Sequence, residues 1–249
     1  MTTAKYEKNL YMAMLSEQCH RYDEMVNFLE EMIKTRDKDI SIDERNLLSV
    51  AYKNLLLPLR LSLRTVMAYE TKEKKKEVSS FLPYIREYRE KIENEITKNC
   101  QNVITTVEND LLKKASETES KVFYIKMKAD YNRFICEYAV GDLKEKVLKD
   151  ALTCYQEADN LAKELPVLNI TSLGLSLNYC IFYYEAMNDT KFAIKIASNA
   201  YEKVSKEFDN IDENDEKNKN VIAIIQLIKE NLDMWKSEVE ESLKSKNTK

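Results

Sequence analysis

The sequence predicts an all-α protein of nine antiparallel helices, on three observations. Only two glycines and three prolines occur in 249 residues, too few for the tight turns that hairpins and sandwiches require. Apolar residues recur at helical spacing, as Met25, Phe28, Leu29 and Met32 do. Hydrophobic residues make up 44% and charged residues 33% of the chain, which buries a core under a solvated surface and excludes a disordered chain.

The elements follow in order. Residues 3–18 and 22–36 read as a short helical hairpin, with Leu15 and Cys19 on the first arm and Met25 to Met32 on the second. Ser41 and Glu44 have the spacing of a capping box, in which hydroxyl and carboxylate each satisfy an otherwise unpaired backbone N–H, so a long helix starts there and runs to about 69. Pro58 lies inside it. Its missing N–H and its ring, which crowds the Asn54 carbonyl, cost roughly 3 kcal/mol, so a local irregularity is expected. The lysine-rich run Thr71 to Lys76 and Pro83 mark a loop, and a further helix extends to about 112. Ser116 and Glu119 repeat the box spacing and predict a helix to about 139, ended by Gly141. Helices at about 144–164, 172–187, 190–207 and 217–242 complete the set, separated by Pro166, by Asn188 and Asp189, and by the acidic run Asp209 to Glu216. Short connections make neighbours antiparallel. One domain over 1–242 and a flexible polar tail over 243–249 are expected.

A net charge of −4 and a pI near 5.4 oppose nonspecific nucleic-acid binding, so any anionic partner must meet a local basic pocket. The five cysteines are odd in number and widely spaced, which suits free thiols in the cytoplasm. No uncharged apolar run approaches the roughly 20 residues of a membrane span, and no apolar stretch follows the charged N-terminus as a signal peptide requires. His20 is the sole histidine, leaving little material for triads or zinc motifs. Asp209, Asp212 and Asp215 lack the glycine and glutamate spacing of a calcium loop, and no glycine-rich phosphate cradle is present. No catalytic residue, cofactor or metal is expected.

Cations carry the functional reading. Lys53, Arg60 and Arg64 lie at i, i+7 and i+11, within about 40° on one helix face. Lys126 and Arg133 repeat the i, i+7 relation on a later helix. Guanidinium groups fork onto phosphate oxygens better than ammonium groups do. Solvated charge is the commoner outcome of such spacing. Two one-sided sets accompany these cations: Leu177, Asn178, Ile181 and Glu185, and Ile224, Leu227, Asn231 and Trp235. Each is an apolar wall with one asparagine, whose amide can both donate to and accept from the backbone of an extended peptide.

The run Arg45-Asn-Leu-Leu-Ser-Val-Ala-Tyr-Lys-Asn54 resembles the first signature of the 14-3-3 family. Similar blocks occur at Arg21 to Met25, Tyr88 to Glu93, Glu119 to Asp130, Gly174 to Glu185 and Asn231 to Trp235. The resemblance implies a nine-helix dimer with two amphipathic grooves, a non-enzymatic adaptor for phosphoserine or phosphothreonine segments of client proteins. It places Lys53, Arg60 and Arg133 on the phosphate with Lys126 beside them, and Asn178 and Asn231 on the peptide backbone. Leu177, Ile181, Ile224, Leu227 and Trp235 form the apolar wall, and Glu185 faces the peptide. Arg21 with Glu95, and Glu24 with Lys91 and Tyr88, match intersubunit contacts around Leu15 and Cys19. Ser62 matches a regulated interface serine. The partner subunit is an identical chain or another family member.

The chain departs from the family pattern at Phe134, where a tyrosine hydroxyl would donate to phosphate, and at Leu57 to Arg64, which loses an arginine and a tryptophan and gains Pro58. Ala223 is smaller than the usual groove leucine, and the tail lacks its customary acidity. Two other readings compete: a helical scaffold that binds unphosphorylated peptides by apolar contacts, and a helical enzyme with carboxylate chemistry.

Overall fold

Ser41 and Glu44 form the capping box their spacing predicts: the Glu44 amide donates to the Ser41 hydroxyl at 3.3 Å and the Ser41 amide to the Glu44 carboxylate at 2.7 Å. That carboxylate also receives Arg36 at 3.1 Å and the Tyr6 hydroxyl, so the start of the long helix is tied to the first helix as well. The computed structural model describes residues 2–76, 78–207 and 216–247. They form two compact units, Met1–Ser116 and Glu117–Lys249. The acidic run 209–215 lies outside the described residues.

The first unit contains α1 (Thr2–Gln18), α2 (Tyr22–Lys34), α3 (Ile42–Glu73) and α4 (Leu82–Thr106), the last continuing into a π-helical turn at Val107–Leu111. In that turn the Leu112 amide reaches back five residues to the Val107 carbonyl at 2.9 Å, with Val107 and Leu111 buried. Helix α1 packs on α2, α2 on α3, and α3 on α4, around Met25, Leu29, Met32, Leu48 and Tyr52. Pro58 does not interrupt α3, which is helical throughout from Ile42 to Glu73. Pro58 is exposed, so water can reach the carbonyl that loses its donor, and the buried neighbours Leu56 and Leu63 hold the helix in place.

The second unit contains α5 (Thr118–Cys136), α6 (Gly141–Ala162), α7 (Ile170–Glu185), α8 (Thr190–Ser205) and α9 (Glu216–Asn247). Its core is aromatic: the Tyr155 ring stacks on Tyr179 at 5.2 Å and lies 5.1 Å from Phe182. A second cluster of Leu173, Val204, Val221 and Ile225 joins α7, α8 and α9. The box expected at Ser116 does not form. Helix α5 starts at Thr118, and the Glu119 carboxylate accepts from the Thr171 hydroxyl at 3.0 Å instead; a tertiary partner has replaced the local one. Gly141 opens α6 rather than simply ending α5, with φ +57 in the left-handed region that suits glycine. Helix α9 continues to Asn247, beyond the expected end at 242. Among the described residues the nine helices predicted are present and no strand occurs.

Where α3 ends, buried Glu70 accepts from Lys74 at 2.7 Å, Arg89 at 2.9 Å and Arg86 at 3.4 Å. The hydrogen bond from Lys74, followed by that from Arg89, lowers its pKa from 4.5 to about 2. A depressed folded-state pKa contributes stability that is complete above the unfolded value and lost as pH falls through the folded one. Glu70→Gln is therefore expected to cost about 1–2 kcal/mol near pH 6. The difference should vanish as the wild type is acidified from pH 4.5 to about 2. Urea unfolding at several pH values checks this; a gap that does not narrow on acidification contradicts it.

Candidate peptide-binding site and dimer surface

In the first unit, uninterrupted α3 keeps the predicted spacing of its cations. Lys53 and Arg64 are exposed and Arg60 is half-buried.

In the second unit two of the predicted residues, Lys126 and Asn178, meet at a carboxylate that the sequence did not single out. Asp130, 7% exposed, accepts from the Tyr155 hydroxyl at 2.6 Å, from the Lys126 ammonium at 2.8 Å and from the Asn178 amide at 2.9 Å. Gly174 stands close to the Lys126 stem, where an added Cβ would lie 3.6 Å from Cε. Arg133, one turn beyond Asp130, is 8% exposed. Its guanidinium reaches Glu185 at 3.3 Å and lies 5.0 Å from the centre of the Phe134 ring. Burial alone would lower the pKa of Arg133, but Tyr155, Asp130 and Glu185 outweigh it and raise the value, so the charge is secure. The Asp130 signal was present in the sequence: a carboxylate four residues from Lys126 and three from Arg133 shares their helix face.

The apolar sets divide. On α7, Leu177 and Ile181 are half-buried and Glu185 is exposed. On α9, Leu227 is 48% exposed, Asn231 is half-buried, and Ile224 packs against the Leu173 cluster. Trp235 is 1% exposed; its ring stacks on Tyr184 at 4.9 Å, whose hydroxyl donates to Glu238 at 2.9 Å. The indole ring is thus part of the α7–α9 packing, and its Nε1 has no hydrogen-bond partner among the described residues.

All the residues expected at the dimer surface lie in the first unit. Leu15, Cys19, Arg21, Ser62, Tyr88, Lys91 and Glu95 are exposed and Glu24 is half-buried. Arg21 and Glu24 pair with each other within the single chain. Tyr11, Met14 and Leu15 form an exposed apolar stretch of α1, and a cleft of about 310 Å³ between α3 and α4 is lined by Val66, Tyr69, Phe81, Tyr84, Ile85 and Tyr88.

Among the described residues no group of three or more His, Cys, Asp and Glu side chains could hold a metal. No helix there is long and apolar enough to cross a membrane. The fold and the polar cluster define an all-α scaffold with amide and cationic side chains gathered on neighbouring helices. Residues 12–236 match the 14-3-3 protein family. The chain is 38% identical over 240 residues to 14-3-3-like protein B of Glycine max, covering 95% of this chain and 96% of that one. It is 39% identical over 242 residues to 14-3-3-like protein A of Hordeum vulgare, covering 96% and 92%. It is 38% identical over 240 residues to 14-3-3 protein 10 of Solanum lycopersicum, covering 95% and 94%. The chain belongs to the 14-3-3 family, whose members are non-enzymatic adaptors that bind client proteins; the dimer with two grooves is typical of that family.

Proposed function

We propose that this protein is a cytoplasmic adaptor that binds phosphoserine- or phosphothreonine-containing segments of client proteins. The observation that carries the reading is the buried Arg133, whose charge is secured by surrounding anionic and hydroxyl groups and which lies one turn from the carboxylate holding Lys126 and Asn178. A guanidinium held in place loses little freedom on binding phosphate. By family correspondence, Lys53, Arg60 and Arg133, with Lys126, act on the phosphate, and Asn178 and Asn231 act on the peptide backbone. Leu177, Ile181, Ile224 and Leu227 supply the apolar wall. Pulldown of the purified chain with a matched peptide pair tests the reading: retention by the phosphorylated member alone supports it. Equal retention by both contradicts it and favours a scaffold for unmodified peptides.

Phe134 sets an expected weakness. Its half-buried ring meets Tyr131 edge-on at 5.3 Å, a packing that tyrosine would keep. A hydroxyl would add a hydrogen bond to a charged acceptor, worth about 1.5 kcal/mol in an open, hydrated groove. Phe134→Tyr should therefore raise affinity for a phosphopeptide about tenfold and leave its unphosphorylated twin unchanged. Calorimetry on both peptides checks this, and no gain for the phosphorylated one contradicts it.

The assembly proposed is a dimer through the first unit, a homodimer or a heterodimer with another family member, in which the exposed face of α1 covers the aromatic cleft of the partner subunit. An isologous contact uses each complementary pair twice. Phosphate on exposed Ser62 would add charge and desolvation cost at this surface. Ser62→Glu is expected to weaken the dimer about tenfold in sedimentation; dimerisation as tight as wild type would remove the switch.

A further inference from the structure

We infer that Asp130 is a positioning residue that holds the Asn178 amide with its nitrogen inward and its oxygen outward, so that the site demands an N–H donor from the ligand backbone. The inference rests on the peptide-binding reading above, and it adds the polarity of one contact.

An asparagine side chain carries a donor and an acceptor of nearly equal size, and a free one turns to suit either kind of ligand group. Asn178 is not free to turn. Its Nδ2 donates to the Asp130 carboxylate at 2.9 Å. Reversing the amide would set its carbonyl oxygen against that carboxylate, with no proton between them. The orientation is therefore dictated by chemistry and does not depend on telling oxygen from nitrogen by shape.

Asp130 is held in turn. Its Oδ1 accepts from the Tyr155 hydroxyl at 2.6 Å, and its Oδ2 accepts from both the Asn178 amide and the Lys126 ammonium, the latter 2.8 Å away. Tyr155 is fully buried; burial, followed by the neighbouring Asp130 charge, keeps its hydroxyl protonated and so a donor. Three donors from α5, α6 and α7 thus converge on one carboxylate that is 7% exposed. Asn178 itself is half-buried, and among the described residues the one hydrogen bond its side chain makes is that from Nδ2 to Asp130. That oxygen is the valence left for a ligand.

The consequence is a selectivity that affinity alone does not report. Replacing a ligand amide by an ester exchanges an N–H donor for an oxygen at almost constant shape. At the one peptide position that meets Asn178, this exchange should weaken binding about tenfold, the loss of a single hydrogen bond. The position is recognised in an ester scan of a phosphopeptide because Asn178→Ala abolishes the penalty there. In Asp130→Asn the inner partner can itself donate, so Asn178 can turn to offer its NH2, and the penalty should fall below about threefold. The exchanged pair Asp130→Asn with Asn178→Asp restores an acceptor facing outward, and the penalty should return.

An ester penalty unchanged in Asp130→Asn overturns the inference, as does the absence of any Asn178-dependent position in the wild type. A ligand-free measurement separates this failure from failure of the peptide-binding reading. In the wild-type chain alone, the Asn178 side-chain NH2 should show slow hydrogen exchange by NMR, and Asp130→Asn should accelerate it at least about fivefold as the fixed partner is lost. If phosphorylated and unphosphorylated peptides bind alike, the functional reading fails, and this exchange rate still decides the role of Asp130: acceleration supports it and an unchanged rate overturns it.

Discussion

Arg60→Glu is expected to lower affinity for a phosphorylated peptide by more than about a hundredfold, while the chain stays folded. Charge-assisted hydrogen bonds contribute about 1.5–3 kcal/mol each, a guanidinium can supply two to one phosphate, and the substituted carboxylate adds repulsion. Arg60 is the cleaner cation to reverse because it is half-buried, so reversal costs the fold less than at a core position. Arg133 is 8% exposed and bridged to Glu185, and its replacement would unsettle the second unit together with the ligand contact. Titration of a labelled phosphopeptide, with the thermal midpoint followed alongside, separates the two effects. Unchanged affinity would remove Arg60 from the phosphate site.

Leu15→Glu is expected to shift the proposed dimer to monomer at micromolar concentration. The side chain is 44% exposed in the single chain, beside the more open Tyr11 and Met14, so the substitution disturbs little within the first unit. Across an interface it would place a carboxylate among apolar groups, at a cost of several kcal/mol and thus a hundredfold or more in the dissociation constant. Sedimentation of wild type and variant measures it. A variant that remains dimeric would move the interface away from α1.

What the sequence made legible was whatever rests on local spacing. Nine helices, the box at Ser41 and Glu44, and the shared face of Lys53, Arg60 and Arg64 all follow from periodicity or capping chemistry. The box expected at Ser116 failed because Glu119 found a hydroxyl 52 residues away at Thr171, and spacing carries no information about such partners. Pro58 broke no helix because it faces solvent between buried leucines, so tertiary burial offset the lost hydrogen bond. Trp235 shows the same limit: its place on one face of α9 was readable, but the stacking on Tyr184 that encloses it was not. Asp130 was overlooked because a carboxylate among cations reads as ordinary surface charge until burial and three donors mark it as a hub.

A phosphate group on the ligand, and not apolar contact alone, is expected to govern binding. Isothermal calorimetry of the wild-type chain with one phosphopeptide and its dephosphorylated twin, at low and high salt, tests it most directly. The expected result is one phosphopeptide bound per chain, an affinity that falls as salt rises because the ion pairs are partly screened, and at least about a hundredfold weaker binding of the twin. Equal, salt-insensitive affinity for the two peptides would contradict it.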